Sequence, residues 1–111
     1  MYDLGLERIL RVVKKYLKIL SGKIEINEAY LFGSYAKGTW LKTSDIDLII
    51  ISEDFQGLSM NQRLELLYSE QWKYKISPFI EIIPLTPKEF QEKKRDSVVI
   101  RDAKKYWIKI R

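Results

Sequence analysis

The sequence predicts a single α/β domain with a small mixed sheet flanked by helices, and three observations support this fold class. Apolar residues recur at helical spacing near the N-terminus and again in the middle of the chain. Short apolar runs of the kind that form buried strands lie between and after these segments. Hydrophobic residues make up 46% of the 111 residues, which is sufficient for one packed core, so we expect one domain spanning 1–111.

The first predicted elements are a helix and a strand. The apolar residues of Leu4–Leu20 fall on one helical face, with Lys and Arg between them. Gly22 follows, and we expect it to cap this helix in a left-handed conformation. A strand is predicted over 24–32, because its apolar run stops abruptly at Gly33 and Ser34, which are typical of a tight turn.

The middle of the chain predicts two strands on either side of a helix. Ile46–Ile51 is almost continuously apolar and β-branched, which is typical of a strand buried on both faces. Apolar spacing predicts a helix over 58–72, with Ser59 or Asn61 as its N-cap. A third strand is predicted over 79–83. The order of elements is therefore that of a mixed α/β domain.

The last third of the chain begins with a capped helix. Thr86 can cap it, Pro87 suits its first position, and Glu89 completes a capping box, so a helix should run to about residue 95. Residues 97–111 contain two apolar clusters that fit either helix ends or a short strand, and both assignments stay open.

Composition restricts the chemistry that the chain can perform. It contains no Cys and no His, which excludes disulfides, thiolate zinc sites, histidine-based triads and histidine metal sites. The formal charge of +5 favours anionic ligands such as nucleotides, nucleic acid or an acidic protein face, without choosing among them. Charged residues interrupt the apolar stretches at the N-terminus and no run approaches transmembrane length, so we expect a cytoplasmic protein.

Two aspartates stand at the head of the second predicted strand. Asp45 and Asp47 are two residues apart, so their side chains should project from the same face. Two carboxylates this close repel each other unless protons or a cation intervene. Magnesium is the natural cation because it takes oxygen ligands and shares its coordination with phosphates. A bare pair of this kind is nevertheless weak evidence for a site.

The turn between the first two strands is a candidate anion site. Gly33 allows an anion to approach the backbone N–H groups, and the Ser34 hydroxyl adds a donor. Lys37 and Lys42 flank the same loop and can offset triphosphate charge. The alternative is an ordinary turn after a strand, with two solvated lysines.

Glu81 is a single acid within the third apolar strand. Burying an unpaired carboxylate is costly, so this side chain should be exposed, paired or bound to metal. Strand alternation offers a simple alternative, in which Glu81 faces solvent while its neighbours face inward. If its strand lies beside that of Asp45 and Asp47, three acids meet on one edge, as a two-metal phosphoryl-transfer site requires.

Taken together, these residues resemble a known family. Gly33-Ser34, ten residues and then Asp45-x-Asp47 are similar to the signature of the polymerase-β-like nucleotidyltransferases. The short length and the segment 36–39 resemble the stand-alone minimal nucleotidyltransferases, or MNT proteins, and the resemblance covers about residues 29–90. It implies a polymerase-β-like nucleotidyltransferase fold. It also implies site residues: Gly33, Ser34 and Lys37 for nucleotide binding, and Asp45, Asp47 and Glu81 for catalysis and metal binding.

Two positions depart from the pattern of that family. Its third acid is commonly aspartate where this chain has Glu81, whose extra methylene moves the carboxylate. Arginine is common where Lys37 stands, and lysine keeps the charge but loses the planar fork that suits phosphate.

The resemblance also implies a function. It predicts metal-dependent transfer of a nucleoside monophosphate, AMP from ATP with two Mg²⁺ ions, to an acceptor hydroxyl. Because 111 residues leave no room for a separate acceptor domain, we expect a partner, namely a helical HEPN toxin with a target tyrosine in a toxin–antitoxin system. The alternatives are a non-catalytic antitoxin that neutralises its partner by complex formation and, less favoured, a small-molecule (antibiotic) nucleotidyltransferase. Neither a membrane nor nucleic acid is required, and a homo- or hetero-oligomer is compatible with this interpretation.

Overall fold

The computed structural model of the protein describes residues 4–111, with side chains from Gly5 onward, and four strands form one mixed sheet within this range. The spatial order is β3-β2-β1-β4; β2 runs parallel to β3, and β1 is antiparallel to both β2 and β4. The elements in chain order are α1 (Leu4–Leu20), β1 (Glu28–Phe32), α2 (Gly33–Lys37), β2 (Ile46–Ile51), a 3₁₀ turn (Glu53–Phe55), α3 (Met60–Lys73), β3 (Ile80–Leu85), α4 (Pro87–Asp96), α5 (Val98–Lys104) and β4 (Ile108–Lys109).

The central strand β2 is buried on both faces, as predicted. Leu48 and Ile50 face a core formed with α1, α2 and α3, whereas Ile49 and Ile51 face a second core formed with α4 and α5. All four are fully buried. The sheet is therefore a layer between two sets of helices, and the polar Asp47 is an exception within an apolar strand.

Side chains cap the outer edge of β3. The Gln71 amide exchanges two hydrogen bonds with the Ile80 backbone, at 2.8 and 3.0 Å, and the Ile82 N–H donates to the Tyr68 hydroxyl at 3.3 Å. Pro84 has no N–H to donate. The N–H groups that point away from the sheet along β3 are thus occupied or missing, which discourages pairing with another strand.

An ion pair between the buried Arg63 and the partly exposed Glu89 joins α3 to α4. The Arg63 guanidinium donates to both Glu89 carboxylate oxygens, at 2.6 and 3.1 Å, and to the Pro84 carbonyl at 3.1 Å. The same carboxylate accepts from the Thr86 N–H in the predicted capping box at the start of α4. Arg63 therefore fixes where α4 leaves the sheet.

Several predicted boundaries need correction. The expected left-handed cap at Gly22 is wrong. At the end of α1 the Gly22 N–H donates to the Ile19 carbonyl and the Lys23 N–H donates to the Leu20 carbonyl. The described glycines with positive φ are Gly33, Gly38 and Gly57. The first strand begins at Glu28 instead of residue 24, and β3 extends to Leu85. Ser59 caps α3. The ambiguous segment 97–111 contains both a helix, α5, and a short strand, β4.

No helix in the described part of the chain is long and apolar enough to cross a membrane.

Candidate active site

Asp47 and Glu81 are direct neighbours across two parallel strands. The register of β2 and β3 pairs Asp47 with Glu81, and the register of β1 and β2 pairs Asp47 with Phe32. By strand alternation these side chains share the face that carries Ile49, but near the end of the sheet, where Asp47 is partly buried and Glu81 is exposed. The strand of Glu81 thus lies beside that of Asp47, which is the condition that the sequence left open, and Glu81 itself is exposed.

The environment of Asp47 favours its neutral form. Burial, a hydrogen bond with Glu81 and the nearby charges of Glu81 and Asp45 raise the pKa of Asp47 from 3.8 to about 6. Burial makes the largest contribution. A proton or a cation would therefore stabilise the acidic pair, and carboxylate oxygens are the ligands that Mg²⁺ prefers.

Gly33 packs directly against Asp47. It adopts a φ of +74°, and a Cβ atom at this position would overlap the Asp47 carboxylate. Glycine is thus required twice here, for its left-handed conformation and for its lack of a side chain. The turn that begins α2 and the acidic pair consequently form one site.

The start of α2 presents backbone donors without a side-chain cap. The N-cap residue Phe32 makes no side-chain hydrogen bond to the helix, and the partly buried Ser34 follows in the first turn. Backbone N–H groups in the first turn of a helix have no partner within that helix. The predicted Gly33-Ser34 turn therefore has the donors that phosphate oxygens need, adjacent to Asp47.

The loop that carries Asp45 is held by aromatic packing. Tyr35 stacks on Trp40 with ring centroids 5.5 Å apart, and the Tyr35 hydroxyl donates to the Ser44 carbonyl at 3.4 Å. Asp45 is exposed just before β2 begins. Within residues 4–111 no cluster of three acidic side chains is arranged to hold a metal ion. Asp45 thus acts on Asp47 through its charge but does not complete a three-acid cluster.

Lys37 points towards α5. Its ammonium group lies 3.3 Å from the Asp102 carboxylate and 5.5 Å from the centre of the Tyr106 ring. Lys42 is exposed in the loop before β2. Sequence reasoning missed Asp102 and Tyr106 as neighbours of the site, since the segment that contains them was ambiguous and only tertiary packing brings it to α2.

A large hollow lies away from the acids. It measures about 850 Å³ and lies between α3 and the segment that precedes β3, where Tyr68, Trp72 and Phe79 contribute to its lining. Neither Gly33, Asp47 nor Glu81 lines it. Its lining offers no cluster of carboxylates, so the chemistry argues for the end of the sheet where Asp47, Glu81 and the backbone donors at the start of α2 lie together.

The fold and the site together define an α/β domain with a glycine-serine turn against an acidic strand pair. The sequence profile of the nucleotidyltransferase domain family matches residues 11–106. The chain therefore belongs to this family, and the resemblance first seen in the Gly33-Ser34 and Asp45-x-Asp47 spacing is confirmed.

Relatives and solved structures agree with this assignment. A Methanocaldococcus jannaschii protein named "Putative protein adenylyltransferase" is 36% identical over 62 residues, which cover 56% of this chain and 62% of that protein. A crystal structure described as a putative nucleotidyltransferase from Sulfolobus solfataricus superposes with a TM-score of 0.63 at 25% identity, covering 78% of this chain and 75% of that one.

A third comparison concerns a complex. A crystal structure described as a toxin-antitoxin with AMP-PNP has a TM-score of 0.61 and 22% identity, over 88% of this chain and 71% of that one, which shows a shared fold. These neighbours confirm the predicted fold class.

Proposed function

We propose that the chain is a metal-dependent nucleotidyltransferase that moves AMP from ATP to a hydroxyl group of a partner protein. The observation that supports this most strongly is the contact of Gly33 with Asp47, whose register partner is Glu81. It puts candidate phosphate donors and candidate metal ligands side by side at one end of the sheet. The protein adenylyltransferase name of a relative supports AMP as the transferred group.

In this proposal Asp47 and Asp45 would hold Mg²⁺ with Glu81 as the third acid, which requires Asp45 to move towards the other two, because the three do not form a metal cluster in the described structure. Burial, followed by the neighbouring Glu81 and Asp45, raises the pKa of Asp47, and a bound divalent cation would offset the repulsion among these carboxylates. When bound, the metal neutralises phosphate charge and polarises the reacting phosphoryl group.

The protein groups have separate roles in the proposed reaction. The backbone N–H groups at the start of α2 and the Ser34 hydroxyl donate to phosphate oxygens and orient the triphosphate. Glu81 accepts the proton of the acceptor hydroxyl, whose oxygen forms a bond to the α-phosphorus. The bond from the α-phosphorus to the bridging oxygen breaks, and pyrophosphate leaves. Lys37 can reach phosphate only by exchanging its ion pair with Asp102.

The proposed acceptor is a tyrosine of a helical HEPN toxin, and the chain would act as its antitoxin in the cytoplasm. The shared fold with a chain of a toxin-antitoxin structure that contains AMP-PNP supports this role. A short helical protein in the adjacent reading frame would supply the acceptor to be tested.

Intact mass measurement tests the proposal. The chain, the neighbouring helical protein, ATP and Mg²⁺ are incubated together, and the mass of the helical protein should increase by one or more AMP units. The Asp47→Asn and Glu81→Gln variants should bind the same protein without modifying it. Normal modification by Asp47→Asn would overturn the assignment of the site.

The second candidate function is a non-catalytic antitoxin that neutralises its partner by contact. The exposed position of Asp45 outside a three-acid cluster favours it. Complex formation with loss of toxin activity at unchanged mass, in the presence of ATP and Mg²⁺, would support this alternative.

A further inference from the structure

The net positive charge of the protein is confined to its C-terminal quarter. Residues 87–111 contain nine basic and four acidic residues, a net charge of +5, whereas residues 1–86 contain eleven of each. Of the four acids, Glu89 is paired with Arg63 and Asp102 with Lys37. Helices α4 and α5 contain six of these basic residues and all four acids, so with Glu89 and Asp102 paired elsewhere, Glu92 and Asp96 are the acids left to offset the six.

These basic side chains line two depressions. A groove of about 540 Å³ lies along α4 and reaches Lys104, with Glu92 as its acidic lining residue, and a hollow of about 280 Å³ lies along α5, with Asp102 as its acidic lining residue. None of the basic residues that line them forms an ion pair with a described residue. We name this the α4–α5 basic surface, formed by Lys88, Lys94, Arg95 and Lys104 around the groove and by Arg101 and Lys105 around the hollow.

Exposed apolar side chains accompany the charges. Val98 is 79% exposed, Val99 is 57% exposed and Tyr106 is 50% exposed. Protein interfaces combine apolar contacts with a polar rim, whereas surfaces that bind nucleic acid are more uniformly polar and basic. The mixture on α5 therefore favours a protein whose face is acidic with an apolar centre.

The basic surface lies on the same side of the sheet as the candidate site. Helices α4 and α5 cover the face that carries Ile49, and by strand alternation Asp47 and Glu81 share that face. The Lys37–Asp102 ion pair joins α5 directly to α2, whose first residue contacts Asp47. A protein bound to this surface would therefore lie on the same side of the sheet as Asp47 and Glu81, beside the Gly33-Ser34 turn proposed to bind phosphate.

We propose that the α4–α5 basic surface docks the acceptor protein through an acidic face of that protein, and so selects hydroxyl groups that lie beside acidic residues. This inference rests on the proposed function, since it names the class of acceptor. A basic stripe on α1 that includes Lys14 and Lys15 provides a natural control, because α1 packs on the opposite face of the sheet.

Fluorescence anisotropy with defined probes tests the docking step without ATP. The first probe is a labelled peptide of alternating Glu and Leu around one Tyr, the second replaces each Glu by Lys, and the third is a single-stranded RNA of equal length. We expect the Glu peptide to bind at least about tenfold more tightly than the other two, with an affinity that falls as salt is added.

Charge-reversal variants locate the binding. Lys94→Glu with Arg95→Glu, and separately Arg101→Glu with Lys104→Glu, should each weaken binding of the Glu peptide about tenfold, whereas Lys14→Glu with Lys15→Glu should change it less than about twofold. Thermal unfolding verifies that each variant is folded. If the variant with Lys94→Glu and Arg95→Glu does not fold, the variant with Arg101→Glu and Lys104→Glu carries the test.

Three results would overturn the inference: no preference for the Glu peptide, an equal loss in the α1 control, or tighter binding of the RNA, which would indicate a nucleic-acid surface instead. Failure of AMP transfer with intact, localised peptide binding would reject the proposed function and leave the docking surface in place.

Discussion

Replacing Asp47 by Asn should stabilise the fold at neutral pH. The pKa of Asp47 is raised to about 6 in the folded chain, against 3.8 for an unperturbed aspartate, so the folded state binds this proton more tightly than the unfolded state. Above pH 6 the carboxylate is charged in both states, and its partly buried charge lowers the free energy of unfolding. Below about pH 4 the carboxylate is neutral in both, and this effect disappears.

The magnitude follows from the difference between the two pKa values. That difference corresponds to at most about 3 kcal/mol, at 1.36 kcal/mol for each pKa unit. Asp47 is only partly buried, so solvent screening reduces the effect, and we expect the Asn variant to gain about 1–2 kcal/mol at pH 7.5. For a domain of this size the gain should raise Tm by about 4–8 °C.

Urea unfolding of the wild type and Asp47→Asn, in EDTA and at several pH values, measures this gain. The difference in unfolding free energy should be present at pH 7.5, shrink as the pH falls through 6 and vanish near pH 4. The Glu53→Gln variant, at an exposed acid away from the site, should show no such change. A destabilised Asn variant at pH 7.5, or a gain that persists at pH 4, would refute the reasoning.

Three further predictions follow from other contacts. Gly33→Ala should lower the unfolding free energy by about 1–3 kcal/mol, measured in urea, because alanine would be strained at a φ of +74° and its Cβ would overlap Asp47. Arg63→Leu should cost about 2–3 kcal/mol in the same assay, since it leaves Glu89 and a buried carbonyl without their donor; the exposed Lys109→Leu should cost less than about 1 kcal/mol. Chelation by EDTA should stop AMP transfer and added Mg²⁺ should restore it; transfer at the full rate in EDTA would exclude the metal role.

Local signals made much of the fold predictable. The capping box at Thr86 and Glu89 involves residues three apart, and the apolar run Ile46–Ile51 is continuous, so neither depends on distant parts of the chain. The Gly22 prediction was wrong because a glycine after a helix fits an ending with or without a left-handed residue, and α1 ends without one. Packing of the segment that follows the helix selects between these two endings.

The candidate site was predictable as a set of residue types, but its geometry was not. The sequence indicated an anion site at Gly33 and a metal site at Asp47, whereas their direct contact depends on how β1 and β2 pair. The partnership of Asp47 with Glu81 depends on strand register, which no local pattern fixes. The ion pair of Lys37 with Asp102 spans 65 positions and was not foreseen.

A structure of the protein with Mg²⁺ and a non-hydrolysable ATP analogue would show where the nucleotide and the metal bind. We expect phosphate oxygens within hydrogen-bonding distance of the Ser34 hydroxyl and the first N–H groups of α2, and Mg²⁺ bound to the Asp47 carboxylate. A nucleotide seated elsewhere, such as on the α4–α5 basic surface, with no metal at Asp47 would contradict this expectation.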